Sequence, residues 1–118
     1  MGLKSLLSLP FAKYVVRKNK KWLNNAVKVQ NKLLLSLIKQ AQNTQFGKDH
    51  NFTEITNYTQ WRASVPVRDY EGLKNYIQQI IDGEDSVLWP GAPLYFCKTS
   101  GTTSGTKYIP ISKESMPN

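Results

Sequence analysis

The chain has 118 residues, 40% of them hydrophobic and 20% charged, which bounds it at one small domain and excludes a wholly disordered tail. A single cysteine, Cys97, excludes an internal disulfide and points to a reducing, cytoplasmic setting. The net charge of +8 is lopsided: residues 1–50 hold ten of the sixteen Lys and Arg and one acid, Asp49, whereas residues 51–118 are nearly balanced.

The first sixteen residues scatter Leu3, Leu6, Leu7, Leu9, Phe11, Val15 and Val16 among Lys4, Ser5, Ser8 and Pro10. These interruptions argue against a signal-peptide core, and no run reaches the roughly 20 apolar residues that a membrane-spanning helix needs. Gly2 resembles a myristoylation start, but Leu6 stands where Ser or Thr is required. From about Trp22 to Ala41, apolar side chains recur near a 3.6-residue period at Leu23, Ala26, Val27, Leu33, Leu34, Leu37, Ile38 and Ala41. The period predicts one long amphipathic helix, with Lys28, Lys32 and Lys39 on its other side and Thr44 to Gly47 as its exit. Two readings fit the basic helical segment 1–45. It could be a non-catalytic module for anionic lipid or nucleic acid, or the solvated face of helices that pack on a domain outside this chain. The interleaving of lysines with the apolar period favours the second, with no nucleic-acid partner.

Phe46 to Phe52 reads as a loop with two aromatic anchors, and His50, the only histidine, as a surface or turn residue. A short helix follows within Thr53–Ser64, capped by Thr56 or Asn57. Pro66 stiffens the next stretch, and Asp69 is placed to cap a helix running to about Asp82. Its buried stripe is predicted as Leu73, Tyr76, Ile77, Ile80 and Ile81, and Gly83 as its stop. Arg68 reads as a surface cation beside that cap. Trp89 to Pro93 forms a turn, and strands are expected over Leu94–Lys98 and Lys107–Ile111, with Cys97 a buried thiol in the first. Trp22, Trp61 and Trp89 are expected to be packing aromatics.

Between the two strands lies the densest chemical signal, Thr99-Ser100-Gly101-Thr102-Thr103-Ser104-Gly105-Thr106-Lys107. Glycines let backbone N–H groups approach an anion, hydroxyls add neutral donors, and lysine adds a mobile positive charge. The run is not a Walker loop, because the glycines are one residue too close, Lys107 does not directly follow the second, and a strand rather than a helix comes next. It also lacks the three spaced glycines of a dinucleotide fingerprint. A plain Ser/Thr/Gly-rich turn is the alternative. No residue offers itself as a catalytic acid or base, and none as a metal ligand.

The run resembles the phosphate-binding signature of adenylate-forming enzymes, Thr-Ser-Gly-Thr-Thr-Gly-x-Pro-Lys, with Ser104-Gly105-Thr106 in place of Gly-x-Pro. Phe46-Gly47-Lys48, Ser64 to Tyr70, Gly83-Glu84, Leu88-Trp89-Pro90-Gly91 and Lys98 to Pro110 stand in the order found in one family. On these residues the chain resembles the auxin-responsive Gretchen Hagen family of acyl-acid amido synthetases.

The resemblance implies an α/β fold: the N-terminal part of an adenylating domain like that of acyl-CoA synthetases and luciferases, with a helical half before a β-hairpin that carries the loop. It implies ATP and Mg²⁺, with Mg²⁺ ligands outside this sequence, and a small carboxylic acid and an amino acid as further partners. Residues 46–118 then begin the nucleotide-binding region. Thr99, Ser100, Gly101, Thr102, Thr103, Ser104, Gly105 and Lys107 are the implied phosphate contacts. An acyl-CoA ligase of the phenylacetate type uses a similar loop and is the competing enzyme class. Because the loop stands near the end of the sequence, the chain is expected to be the front of a larger enzyme and inactive without the rest of that polypeptide.

Overall fold

A computed structural model of the chain describes residues 3–101 and 105–116. It is mostly helical, with one two-stranded antiparallel sheet after the helices, and it divides into two compact units, residues 1–34 and 35–118.

The first unit contains helix α1 (Leu3–Leu23) and the start of helix α2 (Ala26–Ala41). The helix α1 runs through Pro10. Lys20 and Lys21 in its last turn oppose the negative end of the helix dipole. Every described side chain of α1 is exposed, including Phe11, Tyr14 and Val16. The single helix expected from Trp22 is interrupted at Asn24 and Asn25. Asn25 accounts for the break: its side-chain amide donates to the Lys21 carbonyl at 3.0 Å, while its own carbonyl accepts the Val29 N–H at 2.9 Å. One residue thus closes a helix and opens the next. The side chain of Trp22 lies outside the described residues.

The second unit holds the end of α2, where Ile38 and Ala41 are buried. Of the predicted stripe, Val27, Leu33 and Leu37 on α2 and Leu23 at the end of α1 are exposed. Past Ala41 the chain turns sharply into helix α3 (Gln45–Asp49), not the loop expected there. Thr44, only 1% exposed, makes that corner: its hydroxyl donates to the Ala41 carbonyl at 2.7 Å and accepts the Gly47 N–H at 3.0 Å. The carbonyls of Ser86 and Val87 take the N–H groups of Gln45 and Phe46, both at 2.9 Å, so the first three N–H groups of α3 are all satisfied.

A 3-10 turn (Phe52–Glu54) leads to helix α4 (Tyr58–Ser64), whose cap is Asn57, accepting from the Gln60 N–H at 3.0 Å. Helix α5 (Tyr70–Ile81) is capped by Asp69 as expected, with the Gly72 N–H donating at 3.0 Å. It ends in a Schellman arrangement. Gly83, with φ of +97°, donates to Ile80, and Glu84 donates to Gln79. Ile77 and Ile80 are buried and Leu73 and Tyr76 half-buried, but Ile81 is exposed, one position round the helix from the covered face. With Phe52, Ile55 and Val87 they build the core of this unit. Replacing Asp69 by Ala should cost about 1 kcal/mol of stability, the usual worth of an N-cap, read as a lower urea midpoint with unchanged slope.

The sheet pairs β1 (Tyr95–Lys98) with β2 (Tyr108–Ile111), each one residue shorter at its first end than expected. Cys97 is exposed, against the expectation of a buried thiol. In a two-stranded ribbon its partner across the sheet is Ile109, itself 40% exposed. Trp61 and Trp89 are half-buried: Trp61 stacks near Tyr58, and the Trp89 indole N–H donates to Glu114 at 3.2 Å.

Candidate functional site: the glycine-necked loop of the hairpin

Register decides how the loop is held. The pairs are Tyr95 with Ile111, Phe96 with Pro110, Cys97 with Ile109 and Lys98 with Tyr108. One step further, the Thr99 N–H donates to the Lys107 carbonyl at 3.0 Å, and the Lys107 N–H donates back to the Thr99 hydroxyl at 3.3 Å. Thr99 and Lys107 thus form a hydrogen-bonded pair, and alternation makes Lys98–Tyr108 and Phe96–Pro110 the non-bonded pairs. Pro110 fits there because no N–H is wanted from it. By the same alternation, the N–H and C=O of Tyr108 turn away from β1.

Both outward groups meet one side chain. The phenol oxygen of Tyr70, first residue of α5, accepts the Tyr108 N–H at 2.9 Å and donates to the Tyr108 carbonyl at 3.4 Å. The ammonium of Lys107 sits over the same ring, 5.6 Å from its centre. The half-buried lysine is therefore held at the loop base.

Beyond the Thr99–Lys107 closure the strands converge again at the glycines. A Cβ built on Gly101 would overlap the Gly105 carbonyl and lie 2.9 Å from the Gly105 Cα, so only glycine fits. Gly105 has φ of +79°, a conformation that side chains disfavour. The loop has a narrow neck made by its own two glycines. Thr99, Ser100, Gly101, Gly105 and Lys107 are brought together around that neck, and Thr102, Thr103 and Ser104 lie outside the described residues. From Leu94 to Lys113 there is no carboxylate, and Lys98, Lys107 and Lys113 are the charges.

Near α5 a second polar cluster is structural. His50, expected as a surface or turn residue, stands in the turn after α3 but is 5% exposed, and it stacks on Phe46 with ring centres 4.1 Å apart. Its Nδ1 lies 2.8 Å from the Phe46 carbonyl, and its Nε2 lies 3.1 Å from the Arg68 guanidinium. The Nδ1–H neutral tautomer satisfies both bonds, leaving neither nitrogen free to act as a base. Arg68, exposed as expected, is also tied to His50 at the end of α3. Tyr76 donates to Asp49 at 2.7 Å, and burial together with that carboxylate raises the phenol above its ordinary pKa, although Arg68 pulls the other way.

Among the described residues no group of three or more His, Cys, Asp or Glu could hold a metal ion, and no helix is long and apolar enough to cross a membrane. Tyr70 is the residue that sequence reasoning missed at this site. It lies 38 positions from its partner Tyr108, and nothing local in the sequence links the two.

Comparison with known proteins places the same residues in one family. Residues 15–118 match the GH3 family N-terminal domain. The chain is 30% identical, over 98% of its length, to the probable indole-3-acetic acid-amido synthetase GH3.1 of Arabidopsis thaliana, covering 21% of that protein. It is 31% identical to indole-3-acetic acid-amido synthetase GH3.2 of the same plant, over 78% of the chain and 17% of the relative. With jasmonoyl–L-amino acid synthetase JAR6 of Nicotiana attenuata it shares 30% identity over 78% of the chain and 16% of that protein. The chain therefore spans about a fifth of the length of these relatives. No solved structure matches it significantly. With a family match across most of its length and relatives named as amido synthetases, the chain belongs to the GH3 family, within its N-terminal domain.

Proposed function

We propose that this chain supplies the ATP phosphate-binding loop of an acyl-acid amido synthetase, within an adenylate-forming α/β domain. The carrying observation is the necked loop between β1 and β2, closed by the Thr99–Lys107 pair and the close approach of Gly101 to Gly105, in a stretch whose sequence holds hydroxyls and lysines but no carboxylate. That donor set suits a polyphosphate: Gly101 and Gly105 expose backbone, and Thr99, Ser100, Thr102, Thr103 and Ser104 add hydroxyls. The loop would hold the β- and γ-phosphates while a substrate carboxylate attacks the α-phosphorus. The bond to the β-phosphate oxygen breaks, pyrophosphate leaves carrying the charge, and Lys107 with the loop donors stabilises it. An amino acid nitrogen then attacks the acyl carbonyl, forming the amide and releasing AMP. Mg²⁺ would shield the triphosphate, and no residue of this chain is assigned to it.

The acceptor is read as an amine because the relatives are named as an indole-3-acetic acid-amido synthetase and a jasmonoyl–L-amino acid synthetase. The acid itself, and a cytoplasmic location, belong to the same proposal. In the complete polypeptide, Ser100→Ala, Thr102→Ala and Lys107→Ala should each slow ATP–pyrophosphate exchange by about 10²-fold, the scale of losing an anion-stabilising donor. Unchanged exchange in all three would remove the loop from the mechanism. Product analysis with amino acids and with coenzyme A as rival acceptors separates amide from thioester formation.

A further inference from the structure

We propose that Tyr70 is a positioning residue for the phosphate loop: its hydroxyl fixes the backbone of Tyr108 at the loop base, and its ring parks the Lys107 ammonium. This rests on the phosphate-loop assignment made above and adds the element that aims the loop. The geometry is specific. One phenol oxygen serves both the N–H, at 2.9 Å, and the C=O, at 3.4 Å, of a residue adjoining Lys107. The same ring lies 5.6 Å from the lysine nitrogen.

Tyr70 is itself well anchored. It is the first residue of α5, directly after the Asp69 cap, and the preceding Arg68 is bonded to the buried His50. A rigid helix start thus grips the open edge of β2, where Tyr108 would otherwise rely on water. The hydroxyl and the ring have separable tasks: the first sets where the backbone of the loop begins, and the second sets where its positive charge waits. Phosphate oxygens then meet a lysine already held near the loop, instead of one spread over many rotamers.

The test uses the complete polypeptide and compares Tyr70→Phe, which removes only the hydroxyl, with Tyr70→Leu, which removes the ring as well, and with Lys107→Ala. Two readouts are needed: KM for ATP and kcat in pyrophosphate exchange, and amide hydrogen exchange at Tyr108. Tyr70→Phe should quicken amide exchange at Tyr108 by about fivefold to tenfold and raise KM for ATP by a similar factor, with kcat little changed. Tyr70→Leu should in addition lower kcat by about tenfold, because the lysine is no longer held over a π face. A merely structural role would lower the amount of active protein and leave KM unmoved. The proposal is overturned if both Tyr70 variants keep the wild-type KM and kcat while Lys107→Ala loses its activity. If Lys107→Ala is also fully active, the phosphate-loop assignment fails first and this proposal falls with it. Should Tyr70→Leu not fold, the near-isosteric Tyr70→Phe decides through KM alone.

Discussion

Gly101→Ala is expected to cut ATP–pyrophosphate exchange in the complete polypeptide by about 10²-fold or more. The cause is local. The added Cβ overlaps the Gly105 carbonyl, a backbone group that cannot swing aside as a side-chain tip can, so the neck must open. Opening it by roughly an ångström would shift the loop backbone on either side of the neck, enough to lose alignment with the bound phosphates. Gly105→Ala is the informative comparison. Gly105 carries the positive φ, of +79°, yet a Cβ there meets nothing within 4 Å. Its replacement should cost about 1–2 kcal/mol of local strain and a smaller loss of rate. If Gly101→Ala exchanges as fast as Gly105→Ala, the close approach of the two glycines plays no part in phosphate handling.

That contrast also shows what sequence could tell. The two glycines stand out in the sequence through their hydroxylated neighbours, but their separate structural reasons do not. Gly101 is required by a backbone that returns from four residues away, and Gly105 by its own φ. The two strands were legible because apolar and aromatic runs flank the loop, and Asp69, Asn57 and Gly83 were legible because capping depends on nearest neighbours in sequence. Buried polar partners were not. His50 reads as a turn residue among Lys48 and Asp49 until Phe46 and Arg68 close over it. Tyr70 reads as the end of a proline-stiffened stretch until Tyr108 arrives. The helix break at Asn24 and Asn25 was missed for a different reason: apolar periodicity continues across it, and only a side-chain amide competing for a carbonyl reveals the end. Cys97 and Ile81 were placed inside on local pattern, which cannot show how much surface is available to cover them.

Gly47 provides the sharpest stability test, because the fold contains its own control. Gly47 and Gly72 both occupy the third position of a helix, and the N–H of each donates at 3.0 Å to the capping side chain, Thr44 or Asp69. Helix propensity alone predicts that alanine stabilises either site by up to about 1 kcal/mol. Their surroundings differ. At Gly72 the three atoms nearest a Cβ would be the Cβ, Cγ and Cδ of Arg68 at 3.1, 3.4 and 3.5 Å, so a shift of a few tenths of an ångström makes room. At Gly47 it would strike the Ala41 carbonyl oxygen and come within 3.0 Å of the Gln42 carbonyl oxygen. The Ala41 carbonyl cannot retreat, because it accepts both the N–H and the hydroxyl of Thr44 at the corner between α2 and α3. Gly47→Ala should therefore cost about 3 kcal/mol or more, whereas Gly72→Ala stays within about 1 kcal/mol of wild type, compared by urea unfolding of the two variants. Equal midpoints would mean that the corner relaxes without cost. The larger loss would show that glycine is required at position 47 for backbone closeness at Ala41, which fixes Phe46 under His50 and Tyr76 and so steadies the side of α5 from which Tyr70 reaches the loop.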